Sequence, residues 1–297
     1  MKLRGLPTAG LLLFLGGCNR VALLAPAGPI AEANRAILLN ALSIMLAIVI
    51  PTIVAALVFA WWFRAGNRKA RYDPGFVYSG RIELIVWSIP ILVVIFLGGV
   101  IWVGSHRLDP ARPIMATRPL DIQVVALDWK WLFIYPEQGT ASVNRLVVPT
   151  GVPVRFSITS ASVMNMFFVP RLGSMIAAMN GMQNQLNLRS DADGVYHGLS
   201  AQFSGDGFAD MHFAVLSLPT AQFARWVDRT RAAGPSLDAR AYAMLARQSQ
   251  DVRPFTFRAV APGLFQAIVG RETAAGPGPQ AGRGGPQVSP VTPGGLE

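Results

Sequence analysis

Residues 36–63 read AILLNALSIMLAIVIPTIVAALVFAWWF, a run with no charged side chain. Coiled as a helix, it is long enough to cross the ~30 Å hydrocarbon core of a bilayer. A second apolar run, Leu84 to Val103, follows after a short polar interval. The spacing predicts two transmembrane helices, over 36–63 and 83–104, joined by a loop over 64–82. Pro51 and Pro90 fall inside them, as membrane helices tolerate. Trp61, Trp62, Trp87 and Trp102 lie toward their ends, where amphipathic rings prefer the interface.

The loop carries Arg64, Arg68, Lys69, Arg71 and Arg81 against one acid, Asp73. Cytoplasmic loops carry this excess of positive charge, so the loop is expected inside and both flanking regions outside. Glu83 stands at the cytoplasmic mouth of the second span. Two readings apply: an interfacial charge that snorkels to water, or a carboxylate serving a proton path or a partner chain.

The N-terminus has its own logic. Lys2 and Arg4 precede the apolar stretch Leu11 to Leu15, and Gly16-Gly17 lead into Cys18, the only cysteine of the chain. Residues 1–17 have the shape of a secretory signal, too short to span a bilayer. The end, Leu15-Gly16-Gly17-Cys18, resembles the bacterial lipobox, which implies cleavage before Cys18 and lipidation of its thiol. The other reading is an inert, buried thiol in an uncleaved signal. Residues 18–35 are then an outer N-terminal segment. An external N-terminus agrees with the loop charge.

Composition agrees with a membrane chain that carries a polar part. The chain has 297 residues, of which 52% are hydrophobic and only 14% charged. Its mean hydropathy is +0.40. The net charge of +10 includes no basic stripe with interleaved aromatics, which argues against nucleic acid as a partner. One cysteine excludes an internal disulfide, and three histidines, His106, His197 and His212, are few for a metal site.

From Pro119 the texture changes to short runs such as 120–126 (LDIQVVA), 145–148 (RLVV), 152–158 (VPVRFSI), 185–188 (QLNL) and 211–216 (MHFAVL), punctuated by Gly, Pro, Asn and Asp. Such runs predict an antiparallel sandwich or barrel. Thr220 reads as an N-cap, with Phe223, Trp226 and Val227 at i, i+3, i+4 of an amphipathic helix. A second helix is expected over roughly 238–248. The Gly/Pro-rich stretch 271–297 is expected to be disordered.

Three segments now carry a resemblance. Residues 128–139 (DWKWLFIYPEQG) resemble the aromatic strand of subunit II of haem–copper oxidases. Residues 162–170 (SVMNMFFVP) and 198–211 (GLSAQFSGDGFADM) resemble its two copper-ligand loops, and 81–90 (RIELIVWSIP) its second span. The resemblance covers roughly residues 18–270 and is closest to the cytochrome bo-type ubiquinol oxidase branch. It implies a two-helix hairpin followed by a cupredoxin-like Greek-key β-sandwich or barrel over 119–218, with an aromatic-rich, helical C-terminal extension over 219–270.

The family's two-copper centre takes one histidine from the first loop and Cys-x-Glu-x-Cys-x-x-x-His-x-x-Met from the second. That spacing places Asn165 at the first histidine, Ser200 and Ser204 at the cysteines, Gln202 at the glutamate, Phe208 at the second histidine and Met211 at the methionine. Soft thiolates are what hold a copper pair; neither a serine hydroxyl nor a phenyl ring replaces them. No metal is therefore expected on this chain. His197 and His212 occupy no ligand position, and they read as solvated loop or strand histidines.

The resemblance implies a non-redox subunit II of a proton-pumping terminal quinol oxidase that passes electrons from ubiquinol to O2. Haems, copper and quinol are expected in subunit I. Subunits I, III and IV and the lipid bilayer are the implied partners, with no role for cytochrome c. The implied location is the bacterial inner membrane. Glu83 matches a carboxylate at a proton path into subunit I, and no residue is implied to be catalytic. Two alternatives are a copper-bearing cytochrome c oxidase subunit and a free-standing cupredoxin-like lipoprotein that acts in oxidase assembly.

Overall fold

The computed structural model describes residues 22–71, 73–114 and 118–273. The signal segment 1–17, Cys18 and most of the tail 271–297 lie outside the described residues. The chain divides into two compact units, one of residues 35–109 and the other of the residues before and after them.

The first unit is built from two helices, α1 (Pro29–Trp62) and α2 (Gly80–Arg107). Both are long and apolar enough to cross a membrane, and the side chains of their apolar windows are unburied. Each extends past its uncharged run. α1 begins upstream of Glu32 and Arg35, and α2 continues through His106 and Arg107. The apolar run marks only the part that needs lipid, while backbone hydrogen bonding carries the helix on into polar sequence. Within this unit a Cβ on Gly104 would come within 2.7 Å of Ile37, so glycine permits that close approach.

The second unit is a two-sheet sandwich. Its strands are β1 (Leu120–Leu127), β2 (Lys130–Tyr135), β3 (Thr140–Val143), β4 (Arg145–Pro149), β5 (Pro153–Ser160), β6 (Asn165–Phe168), β7 (Ile176–Ala178), β8 (Asn184–Arg189), β9 (Gly194–Ser200) and β10 (His212–Leu218). Later come α3 (Thr220–Ala232), β11 (Ser236–Leu237), α4 (Ala239–Leu245), β12 (Phe255–Phe257), β13 (Ala259–Val260) and α5 (Leu264–Val269). One sheet runs β12-β3-β2-β1-β5-β8, the other β4-β10-β9-β6-β7, and β11 pairs with β13. β1 and β5 run parallel, as do β4 and β10, while the other pairs within the two large sheets are antiparallel.

The core between the sheets is aromatic. Phe167 and Phe213 stack with centroids 5.4 Å apart, and Trp131 meets both edge-on. A buried tyrosine ties two elements together: the Tyr135 hydroxyl donates to Val147 O and accepts from Val147 N, while its ring packs on Trp226 of α3. Burial holds the Tyr135 phenol protonated, well above its ordinary pKa.

Two expectations are modified. Thr220 is the first helical residue of α3 rather than its N-cap, which is Pro219. The C-terminal segment adds strands as well as helices, because β12 pairs antiparallel with β3 and so becomes an edge of the six-stranded sheet. Its apolar side chains, Leu237, Tyr242, Leu245, Phe257, Phe265 and Ile268, form a second core with Val125, Leu127, Leu132, Ile134 and Val143. With both faces covered, every residue of β2 is buried. Fully covered strands lose the alternation that marks a half-exposed strand.

Upstream of the first span, residues 25–31 are stitched to this unit. Ala27 N donates to Arg171 O, Asp191 N to Ala27 O and Ala31 N to Leu172 O. Gly28 is needed there, since a Cβ would lie 2.0 Å from the backbone oxygen of Arg189.

Candidate functional site

The positions aligned with copper ligands come together at one end of the sandwich. β6 opens on Asn165, β9 closes on Ser200, and a single 3-10 turn, Phe208–Asp210, leads into Met211 before β10. Phe167 pairs with Ser200 in register, which brings the two loops side by side. Asn165, Ser200, Ser204 and Met211 are all buried; Gln202 is exposed and Phe208 partly so.

These side chains satisfy one another. Ser200 Oγ donates to Asn165 Oδ1 at 3.1 Å and accepts from Met166 N at 3.4 Å. Asn165 Nδ2 donates to Val163 O. Ser204 Oγ points at Met211 Sδ, 3.9 Å away. Phe208 meets Phe203 edge-on, with centroids 5.6 Å apart. The set therefore offers one thioether, two hydroxyls and an amide, and the hydroxyls and amide are spent on internal hydrogen bonds. This donor set does not fit a two-copper centre, which requires bridging thiolates and imidazoles. Among the described residues no group of three or more His, Cys, Asp or Glu side chains is placed to hold a metal ion.

The aromatic strand acts as a brace for this loop. Trp129 sits in the tight β1–β2 turn with φ 61. Its buried indole donates to Ser204 O at 2.9 Å. A Cβ on Gly207 would lie 2.5 Å from the same ring, so the loop closes directly over the indole. Trp129 and Trp131 are core residues, packing the loop and the sheets rather than facing solvent.

Lys130, which carries no distinguishing signal in the sequence, is completely buried. Its Nζ donates to Arg247 O at 2.6 Å, to Ser249 Oγ at 2.7 Å and to Asp128 O at 3.2 Å. Desolvation pulls its pKa down to about 8, partly opposed by the Asp128 carboxylate. It ties the segment after α4 to the β1–β2 hairpin beneath the loop. An alternation-based reading could not find it, because a lysine in an apolar strand looks like a solvent-facing residue.

His197 and His212 are exposed on neighbouring strands, β9 and β10. Glu83 is exposed in the first turn of α2, where the helix N-terminus favours a carboxylate.

Comparison with known proteins matches these features. Residues 137–218 fit the family described as cytochrome c oxidase subunit II, periplasmic domain. Residues 231–272 fit the COX aromatic rich motif. The chain is 45% identical over 273 residues to ubiquinol oxidase subunit 2 of Acetobacter aceti, covering 91% of this chain and 87% of that one. It is 45% identical over 258 residues to cytochrome bo(3) ubiquinol oxidase subunit 2 of Pseudomonas aeruginosa, covering 86% and 78%. The crystal structure of the periplasmic domain of subunit II of cytochrome oxidase from Bradyrhizobium japonicum is 26% identical with a TM-score of 0.37, covering 39% of this chain and 96% of that one. With two membrane-capable helices, a cupredoxin-like sandwich and identity of this level over most of both lengths, the chain belongs to the subunit 2 family of the cytochrome bo-type ubiquinol oxidases.

Proposed function

We propose that this chain is the non-redox subunit II of a membrane-bound ubiquinol oxidase, which couples ubiquinol oxidation and O2 reduction to proton pumping. The observation that carries the reading is the side-chain set at the ligand positions: Asn165, Ser200, Ser204 and Phe208, locked in internal contacts, cannot pass single electrons from cytochrome c. Electrons must then come from quinol in another subunit. Haems, copper and quinol belong to subunit I in this reading, and the chain docks on subunits I, III and IV.

The arrangement in the inner membrane follows from charge. The arginine-rich loop 64–82 lies in the cytoplasm and the sandwich in the periplasm. Cys18, cleaved free of residues 1–17, carries the lipid anchor. Glu83, at the cytoplasmic mouth of the second span, gathers protons for subunit I.

The test is purification of the complex through this chain. A haem-bearing multispan partner, copper at one per complex and quinol-driven oxygen uptake are expected. Recovery of the chain alone would favour the free-standing assembly lipoprotein instead. In the complex, Glu83→Ala is expected to lower proton pumping; pumping and turnover equal to wild type would remove Glu83 from the proton path.

A further inference from the structure

The loop between the two spans carries charge that its own structure leaves unused. α1 ends at Trp62 and α2 starts at Gly80, so both ends of the intervening segment meet the same face of the bilayer. From Arg64 to Glu83, five basic side chains stand against Asp73 and Glu83, a net charge of +3. Two of the five are engaged locally. Arg64 Nη1 donates to Trp61 O at 3.0 Å and its guanidinium lies over the Trp61 ring; with Asn67 Nδ2 donating to Trp62 O, it caps the end of α1. Arg71 pairs with Asp73 at 3.4 Å. Arg68, Lys69 and Arg81 are exposed and make no ion pair among the described residues.

Apolar side chains accompany these charges. Phe76, Val77 and Tyr78 are consecutive, non-helical and 62%, 90% and 70% exposed. Neither hydrophobic core includes them. Such a triplet is poorly placed in water and well placed at a bilayer interface, where aromatic rings sit at headgroup level. Each of Arg68, Lys69, Phe76, Val77, Tyr78 and Arg81 lies within seven residues of the end of a span. At ~3.5 Å per residue, the chain cannot carry any of them more than ~25 Å from the bilayer.

We propose that this loop docks on anionic phospholipid headgroups, with Arg68, Lys69 and Arg81 on their phosphates and Phe76, Val77 and Tyr78 seated in the interface beside them. The proposal rests on the reading that α1 and α2 cross the bilayer. A guanidinium fork matches phosphate oxygens bidentately, and the lysine ammonium binds them as a point charge. Each basic residue close to an anionic surface strengthens the attraction about fivefold, and salt screens it. A lipid surface meets both the unpaired charges and the apolar triplet, at the depth where the two spans deliver them.

The experiment reconstitutes the full-length chain into bilayers of phosphatidylcholine with about one-fifth phosphatidylglycerol, excises it with its surrounding lipid by an amphipathic polymer, and quantifies both lipids by mass spectrometry. Phosphatidylglycerol is expected at least about twofold above its bulk share, falling to that share in about 0.5 M NaCl. The variant Arg68→Gln/Lys69→Gln/Arg81→Gln should lose the enrichment, and Arg68→Lys/Arg81→Lys should keep it. Arg225→Gln/Arg240→Gln/Arg258→Gln removes as much charge from exposed positions of the other unit and should change nothing. No enrichment around wild type, enrichment that survives in the first variant, or an equal loss in the last would each overturn the proposal. A chain washed off the bilayer by alkali would overturn the spanning reading itself. Both leaflets carry the same lipids, so the result does not depend on which side the loop occupies in the cell. That side is read separately: Gly66→Cys, at a position with open space around it, should gain labelling by an impermeant maleimide over wild type only in permeabilised cells. Labelling in intact cells would overturn the cytoplasmic placement and leave headgroup docking standing.

Discussion

Gly207 sets how closely the degenerate loop approaches the sheet. Its ordinary φ of −90 means that the need for glycine is one of space alone. A methyl group there would meet atoms of the buried Trp129 ring at 2.5, 2.6 and 2.7 Å. The indole cannot retreat without breaking its bond to Ser204 O. Gly207→Ala is therefore expected to cost ~1–3 kcal/mol by overpacking. Thermal unfolding of the purified chain should show a midpoint several degrees lower, with Gly263→Ala, where nothing lies within 4 Å but φ is +75, as a comparison for pure backbone strain. The positions matching the copper ligands were legible at this scale only through the resemblance to the family's ligand motif. Their mutual hydrogen bonds were not, because which hydroxyl meets which amide depends on two loops from distant parts of the chain.

At the level of elements, Lys130 joins the β1–β2 hairpin to the segment that follows α4. Replacing it by methionine removes the donor to Ser249 Oγ and Arg247 O, and leaving buried acceptors unmet costs ~1–3 kcal/mol. Its pKa is lowered from 10.5 to about 8, so between those values the unfolded chain binds more protons than the folded one. Stability from this group therefore rises with pH across that window. The difference in thermal midpoint between wild type and Lys130→Met should widen from pH 8 to pH 10. An unchanged difference would mean that the ammonium is not desolvated as described. The strands of the two sheets were legible as strands only in part. β2 is covered on both faces and reads as a continuous apolar run, whereas β10 alternates clearly between buried and partly exposed positions.

For the whole molecule, the C-terminal segment completes the sandwich rather than trailing from it. It supplies the edge strand β12 and the side chains that cover Val125, Leu127, Leu132 and Ile134. A chain ended after Gln250 keeps both apolar helices, β1 to β10 and Leu237, Tyr242 and Leu245, but loses β12 with Phe257, Phe265 and Ile268 and so uncovers part of that face. Exposed apolar surface of this kind drives aggregation and degradation. The truncated chain should fail to accumulate in membranes by immunoblot, while one ended after Thr273 accumulates normally.

The amino-acid sequence alone determined the two membrane-capable apolar runs, the positive loop between them and, laid on the family's ligand spacing, the loss of the thiolate and imidazole ligands with Met211 kept. The first two are properties of composition and spacing, carried by 36–63 and Arg64 to Arg81; the last follows from the family resemblance at Asn165, Ser200, Ser204 and Phe208. The tertiary structure decided the rest. It joined residues 25–31 to Arg171 and Asp191, made the aromatic-rich extension an edge strand and second core, and buried Lys130. Each depends on pairing between segments far apart in sequence, where register and burial, not local periodicity, fix which side chains meet.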